Sequence, residues 1–291
     1  MAARPLGPGE HANMSMEEVS IWSDSRTAAE IKEYMHKELA GNESNLVSYY
    51  KMSEKQYFIP KIIHQIWLGP NKRPDIWIDS WRDRFMKRNP HYKYMFWSEK
   101  EISKLKLVNQ KIFNYEPSYP GKSDIARYEI LNKYGGIFVD ADSLWIEKKN
   151  NNFDKILKRA RPSGMFAAVE PVNKWSIANG VIGFTPNHPI LHDLIHYLNN
   201  NYIKLKKKYK NPKEIWMVTG PYIFKKILDK YHNKLILESY YFYPSDFHNN
   251  NLWRDPKNFK EKYPNSIMFQ YGYSTNNNKN NNIMKKYIEN N

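Results

Sequence analysis

Residues 122–146 read KSDIARYEILNKYGGIFVDADSLWI, and how this stretch folds decides the architecture. Ser123-Asp124 has N-cap chemistry, and Ile125 to Tyr134 contains no Gly or Pro, so the pattern predicts a helix. Gly135-Gly136 supplies a left-handed helix stop. Ile137-Phe138-Val139 is then a short apolar strand. Asp140 and Asp142 follow at a spacing of two, which places both carboxylates on one side if the backbone stays extended. Such a pair repels unless a cation shares the site, and oxygen-only ligation at a strand end suits Mg²⁺ or Mn²⁺. Asp124 and Arg127 are three residues apart on the predicted helix and share a face. Arg127 has the chemistry to clamp a phosphate or a sugar hydroxyl, and Asp124 to take sugar hydroxyls or hold the arginine.

A bare Asp-x-Asp is a weak signal, because acidic pairs at strand ends are usually only solvated. The whole run, Ser-Asp-x-x-Arg, Tyr-Gly-Gly, three apolar residues and Asp-x-Asp, is far more specific. It resembles the sugar-binding region, containing the DXD motif, of the family 32 glycosyltransferases. That group includes fungal initiating mannosyltransferases and is related to the glucosyltransferase domains of large clostridial toxins. The resemblance extends over residues 59–274. Pro60 to Pro70 (PKIIHQIWLGP) is similar to the family's opening strand, where a tryptophan stacks on the nucleotide base, which points to Trp67. His64 reads as structural. Asn179 stands beside small residues ahead of His188-Pro189, where related toxin domains keep an asparagine near the donor sugar. Thr219-Gly220-Pro221 matches a helix start that lies near the acceptor side in the family. One departure stands out. Gln270 occupies the place of the family's usual histidine, and no tryptophan follows Ser274.

The resemblance implies an α/β, GT-A type fold: a single Rossmann-like nucleotide-sugar-binding domain with a mixed central sheet. It also implies a metal-dependent, retaining transfer of a hexose-type sugar from a nucleotide diphosphate donor, UDP favoured over GDP, to a glycan or protein hydroxyl. Asp142 would be the more direct ligand of Mn²⁺ or Mg²⁺, with Asp140 acting through water or on the ribose and sugar. Ser123, Asp124, Arg127 and Asn179 would hold the sugar and Trp67 the base.

The rest of the chain sets bounds. Its 291 residues, 41% hydrophobic and 15% aromatic, are globular material with ample core. Residues 1–14 read as a disordered lead, 15–55 as a helical extension with a capping box at Thr27-x-x-Glu30, 56–274 as the transferase domain and 275–291 as a low-complexity Asn/Lys tail. No cysteine is present, which excludes disulfides and thiolate chemistry. No signal peptide or membrane span is visible, so the expectation is a soluble, cytoplasmic protein. The net charge of +15 favours polyanions. The lysines are scattered, however, without zinc-finger spacing or RNP aromatics, so nucleic acid is not the expected partner. Three other classes compete. Phe138 to Asp142 also resembles the first motif of haloacid-dehalogenase-type phosphatases, using Asp140 and Asp142, and the basic charge leaves a nucleic-acid-binding module. The third is a catalytically dead scaffold, against which it counts that Asp124, Arg127, Asp140 and Asp142 are all intact.

Overall fold

The computed structural model describes residues 18–34, 39–51, 56–148, 150–170, 176–244 and 263–270. The expected lead at 1–14, the tail at 275–291 and Ser274 lie outside the described residues. The chain divides into two compact units, Met1–Lys55 and Gln56–Asn291.

The first unit is not the helical extension expected. Strand β1 (Glu18–Trp22) pairs antiparallel with β2 (Leu46–Lys51), and only α1 (Ala28–Tyr34) between them is helical. The two strands are β-branched and aromatic runs that satisfy each other's backbone across more than twenty residues, a pairing that local helical spacing does not reveal. The Thr27–Glu30 capping box is present: Glu30 N–H donates to Thr27 Oγ1 at 3.3 Å, and Thr27 N–H to Glu30 Oε2 at 2.7 Å.

The second unit begins with β3 (Ile62–Ile66), then α2 (Asp75–Asp79), a π turn (Ser80–Phe85) and α3 (Met86–Arg88). Next come β4 (Lys93–Trp97), α4 (Glu99–Ile102), α5 (Gln110–Tyr115), α6 (Tyr119–Tyr134), β5 (Gly136–Val139) and β6 (Ser143–Trp145). The remainder is α7 (Asp154–Arg159), β7 (Met165–Val169), β8 (Ile177–Phe184), α8 (Pro189–Lys208), α9 (Pro221–Leu228), β9 (Leu235–Leu237) and β10 (Met268–Gln270). Six strands form one mixed sheet in the order β4-β3-β5-β8-β7-β9. β4, β3 and β5 are mutually parallel, and β8 runs antiparallel to both β5 and β7. This is the mixed α/β sheet that the GT-A resemblance implies. β6 and β10 pair separately, setting Gln270 opposite Ser143.

Helices cover both faces of the sheet, so its inner strands are apolar on both sides. Along β5, Ile137 and Val139 pack with Trp81, Phe85 and Trp145, while Phe138 between them packs with Tyr128, Ile182 and Phe224. Gly135 and Gly136 make the predicted stop at φ +61° and +100°, and a Cβ on Gly136 would lie 2.8 Å from the Ile62 carbonyl oxygen.

Helix α6 starts earlier than its sequence suggests. Tyr115 to Gly121 reads as a loop, yet the helix begins at Tyr119 with Ser118 as its cap, accepting from Gly121 N–H at 3.3 Å. Pro120 is tolerated because its missing N–H falls in the first turn, where no intrahelical partner exists. Ser123-Asp124 is therefore not a cap. Asp124 and Arg127 sit inside the helix and are buried.

Candidate functional site

A cavity of about 350 Å³ opens where β3 and β5 end. In open α/β sheets, ligands bind beyond the carboxyl ends of the strands. Trp67 follows β3 directly and Asp140 follows β5. All seven residues singled out from the sequence line this cavity: Trp67, Ser123, Asp124, Arg127, Asp140, Asp142 and Asn179. Their placement differs from expectation in one respect. The backbone does not stay extended after Asp140. It turns, with Ser143 N–H and Ser143 Oγ–H both donating to the Asp140 carbonyl, at 3.1 and 2.6 Å. Trp81 braces that turn, its buried indole N–H reaching the Ser143 carbonyl and Oγ, each at 3.1 Å. The two aspartates share the cavity because of the turn, not because of strand alternation.

Arg127 is the centre of the charge network. Its Nη1 donates to the Asn179 carbonyl at 2.5 Å and its Nη2 to Asp140 Oδ1 at 3.0 Å, with Asp124 Oδ1 and Ser123 Oγ each at 3.5 Å. The guanidinium lies over the Phe138 ring at 4.2 Å. Burial opposes its charge, but Asp140 and Asp124 outweigh that and hold it above its ordinary value. Asp124 accepts from Thr219 Oγ1 and from Asn179 Nδ2, both at 2.9 Å. Burial nevertheless pushes its carboxyl above the usual range, against Arg127, Thr219 and Asn179. Three carboxylates against one guanidinium leave a formal surplus of two negative charges around the cavity.

Three contributors were not among the expected site residues, although Thr219 and Gln270 stand in runs that the resemblance marks. Thr219 and Tyr128 complete the cage around Asp124 and Asn179, Tyr128 Oη bonding both the Thr219 carbonyl and Asn179 Nδ2. Tyr128 is one helical turn beyond Asp124, so its position was legible in the spacing. Gln270 does reach the acidic pair, its Nε2 standing 2.8 Å from Asp140 Oδ2 and 3.5 Å from Asp142 Oδ1. His64 is structural, as expected. Its Nδ1 accepts from the Trp97 indole at 3.1 Å, so Nε2 donates to the Gly135 carbonyl at 2.9 Å. Burial drops its pKa to about 4 and keeps it neutral.

Among the described residues, no group of three or more His, Cys, Asp or Glu side chains is placed to hold a metal ion. A divalent cation here would depend on Asp140 and Asp142. That set fits a hard ion of the Mg²⁺ or Mn²⁺ kind, which needs only one or two carboxylates when substrate phosphates and water supply the rest.

Residues 74–161 match the family model described as "Glycosyltransferase sugar-binding region containing DXD motif". The match takes in the Asp140-Ala141-Asp142 run and is a similarity over this stretch of the chain. Over 157 residues the chain is 31% identical to inositol phosphoceramide mannosyltransferase 3 of Schizosaccharomyces pombe, covering 50% of this chain and 39% of that protein. An uncharacterized glycosyltransferase of Acanthamoeba polyphaga mimivirus is 27% identical over 208 residues, covering 66% of this chain and 75% of the viral protein. The chain thus spans well under two thirds of the yeast relative and most of the viral one. Among solved structures, the PaToxG glycosyltransferase aligns with a TM-score of 0.41 at 21% identity, covering 60% of this chain and 70% of the other. The matched residues include Asp124, Arg127, Asp140 and Asp142, while Trp67, Asn179 and Gln270 line the cavity from outside the matched stretch and Thr219 supports Asp124 from behind it. No helix of the described residues is long and apolar enough to cross a membrane.

Proposed function

We propose that the protein transfers a hexose-type sugar from a nucleotide diphosphate donor to an acceptor hydroxyl, with a divalent cation and retention of configuration. The observation that carries this reading is the set of three carboxylates and one guanidinium gathered at the strand ends beside Trp67. Trp67 offers a half-exposed ring for the base at the β3 end of the cavity, and the acidic pair lies at the β5 end. A cation held by Asp140 and Asp142 would neutralise the charge developing on the departing diphosphate as a Lewis acid.

The protein's own residues do the positioning. Arg127 is fixed on two sides by Asn179 and Asp140, so it meets the donor without reorganising. Asp124, caged by Thr219 and Asn179, orients sugar hydroxyls. The oxygens of Asp124 and Asp140 are engaged by N–H and O–H donors, and Asp124 is further blunted by burial. Neither is an activated nucleophile, which favours same-face return over a covalent intermediate. The phosphatase reading needs a lysine near the aspartates, and no lysine lines the cavity among the described residues.

The names of the fungal relatives make mannose the first sugar to try, and an inositol-phosphate-bearing lipid the first acceptor to set beside glycans and proteins. The test is a thermal-shift panel of UDP, GDP and their hexose conjugates, each with Mn²⁺, Mg²⁺ or EDTA. A ligand that binds only the native state raises its midpoint. The expected result is a metal-dependent shift with one nucleotide class, and Asp142→Asn is expected to remove that shift while keeping the fold. No shift with any nucleotide would sink the proposal.

A further inference from the structure

We infer that Gln270 is a two-faced ligand of the acidic pair. Its amide N–H group quiets the two aspartates when no metal is present, and its carbonyl oxygen ligates the divalent cation when one is. On this account Gln270 restricts the site to hard ions. The inference rests on the proposed metal-dependent reading and names the residue that sets ion choice within it.

The amide of Gln270 stands within reach of both carboxylates, at 2.8 and 3.5 Å. A group that meets two carboxylates at once occupies a position of strongly negative potential, where a cation would also be drawn. An ionised carboxylate only accepts, so the NH₂ face is the one that meets the pair here. The same planar end carries an acceptor oxygen. The terminal torsion of glutamine is broad and roughly two-fold, so a half-turn exchanges the two faces without moving the backbone. Histidine in this place would offer an imidazole, which suits Zn²⁺, Ni²⁺ and similar ions. An amide oxygen beside two carboxylates suits Mg²⁺, Mn²⁺ and Ca²⁺.

The surroundings hold the amide where this chemistry needs it. β10 pairs with β6 so that Gln270 faces Ser143, three residues beyond Asp140. Ser143 is itself tied to the Asp140 carbonyl, which fixes the distance between amide and acidic pair. Gly180 leaves the room. A Cβ there would stand 2.5 Å from Asp140 Oδ2 and 3.0 Å from Gln270 Oε1, jamming the carboxylate and the amide together.

The test is direct ion binding. Electron paramagnetic resonance counts Mn²⁺ bound to the full chain with UDP or GDP present, and Zn²⁺, Co²⁺ and Mg²⁺ compete for it. Circular dichroism confirms that each variant folds. Wild type is expected to bind Mn²⁺, with Mg²⁺ an effective competitor. Gln270→Ala should weaken Mn²⁺ at least about tenfold, the lower end of what even outer-shell losses cost. Gln270→His should move the ranking toward Zn²⁺ and Co²⁺. Gln270→Glu should keep Mn²⁺ binding but lower the metal-free thermal midpoint, because a third carboxylate replaces a donor. An alanine variant that binds Mn²⁺ as wild type does, or a histidine variant with unchanged ion ranking, would overturn this inference alone. Wild type taking up no Mn²⁺ with either nucleotide would overturn it together with the metal-dependent reading.

Discussion

Helix α6 buries two acids five residues apart, Asp124 at 7% and Glu129 at 8% exposure, and they are built differently. Burial pushes both carboxyls above their ordinary range. Glu129 takes two backbone N–H groups, from Val108 at 2.6 Å and Asn109 at 2.8 Å, and pins the segment entering α5. Asp124 takes side-chain donors from three other parts of the chain or its own helix, and it borders the cavity. A buried acid satisfied by backbone is a structural clamp. A buried acid satisfied by side chains that also bound a cavity is a positioning device, and swapping its partners changes chemistry before it changes the fold.

The largest break in this contrast is Arg127→Met. It leaves Asp124 and Asp140 without their cation, and removing one partner of a buried ion pair costs about 3–5 kcal/mol. Urea unfolding should show that loss, and sugar transfer should vanish. His64 gives an internal standard, since it is as buried but its ring is hydrogen-bonded to Gly135 and Trp97 and lies outside the charge network. Its folded pKa of about 4 lies below the ordinary 6.5, so its neutral form stabilises the fold above pH 6.5. That stability is lost as pH falls from 6.5 through 4, by about 3 kcal/mol. His64→Gln should flatten the curve of unfolding free energy against pH in that window. Asp124→Asn turns an acceptor into a donor facing Asn179 and Arg127. Turnover should fall about a hundredfold, the scale of losing one preorganised polar contact, with a smaller change in stability. Glu129→Gln offers one acceptor oxygen to two backbone N–H groups. It should cost about 1–3 kcal/mol in urea unfolding and leave turnover per folded molecule unchanged. If the last two variants exchanged phenotypes, the distinction drawn here between the two acids would be wrong.

What was legible in the chain follows the same division. Asp124, Arg127, Asp140 and Asp142 lie in one contiguous run whose helix, stop and strand announce themselves locally. Trp67 and Asn179 came from the resemblance, since alone each reads as an ordinary core or turn residue. Thr219 and Gln270 were marked only by the resemblance, and nothing local joined them to the aspartates, because they reach their partners across 95 and 130 residues of sequence. Such contacts are made by the sheet order and by β10 pairing with β6. The start of α6 was misread because Pro120 and Gly121 look like loop residues, although the first helical turn tolerates both. The first unit was misread for a related reason: β1 and β2 satisfy each other rather than their own neighbours.

The π turn at Ser80–Phe85 has a consequence for how this gene can vary. A π turn holds one residue more than an α-helix would over the same path. Deleting one residue beyond Trp81 there would let the segment relax to α-helical winding with its flanks kept in register, whereas an insertion would swing the flanking side chains by about 100°. After such an insertion Trp81 would leave the Ser143 carbonyl and hydroxyl that it braces. Substitutions on the solvent face of this segment should be tolerated freely, a single-residue deletion should be tolerated better here than inside α6 or α8, and insertions should be purged. A ceiling on length, more than composition, is the inherited trait here, in a segment none of whose side chains lines the cavity.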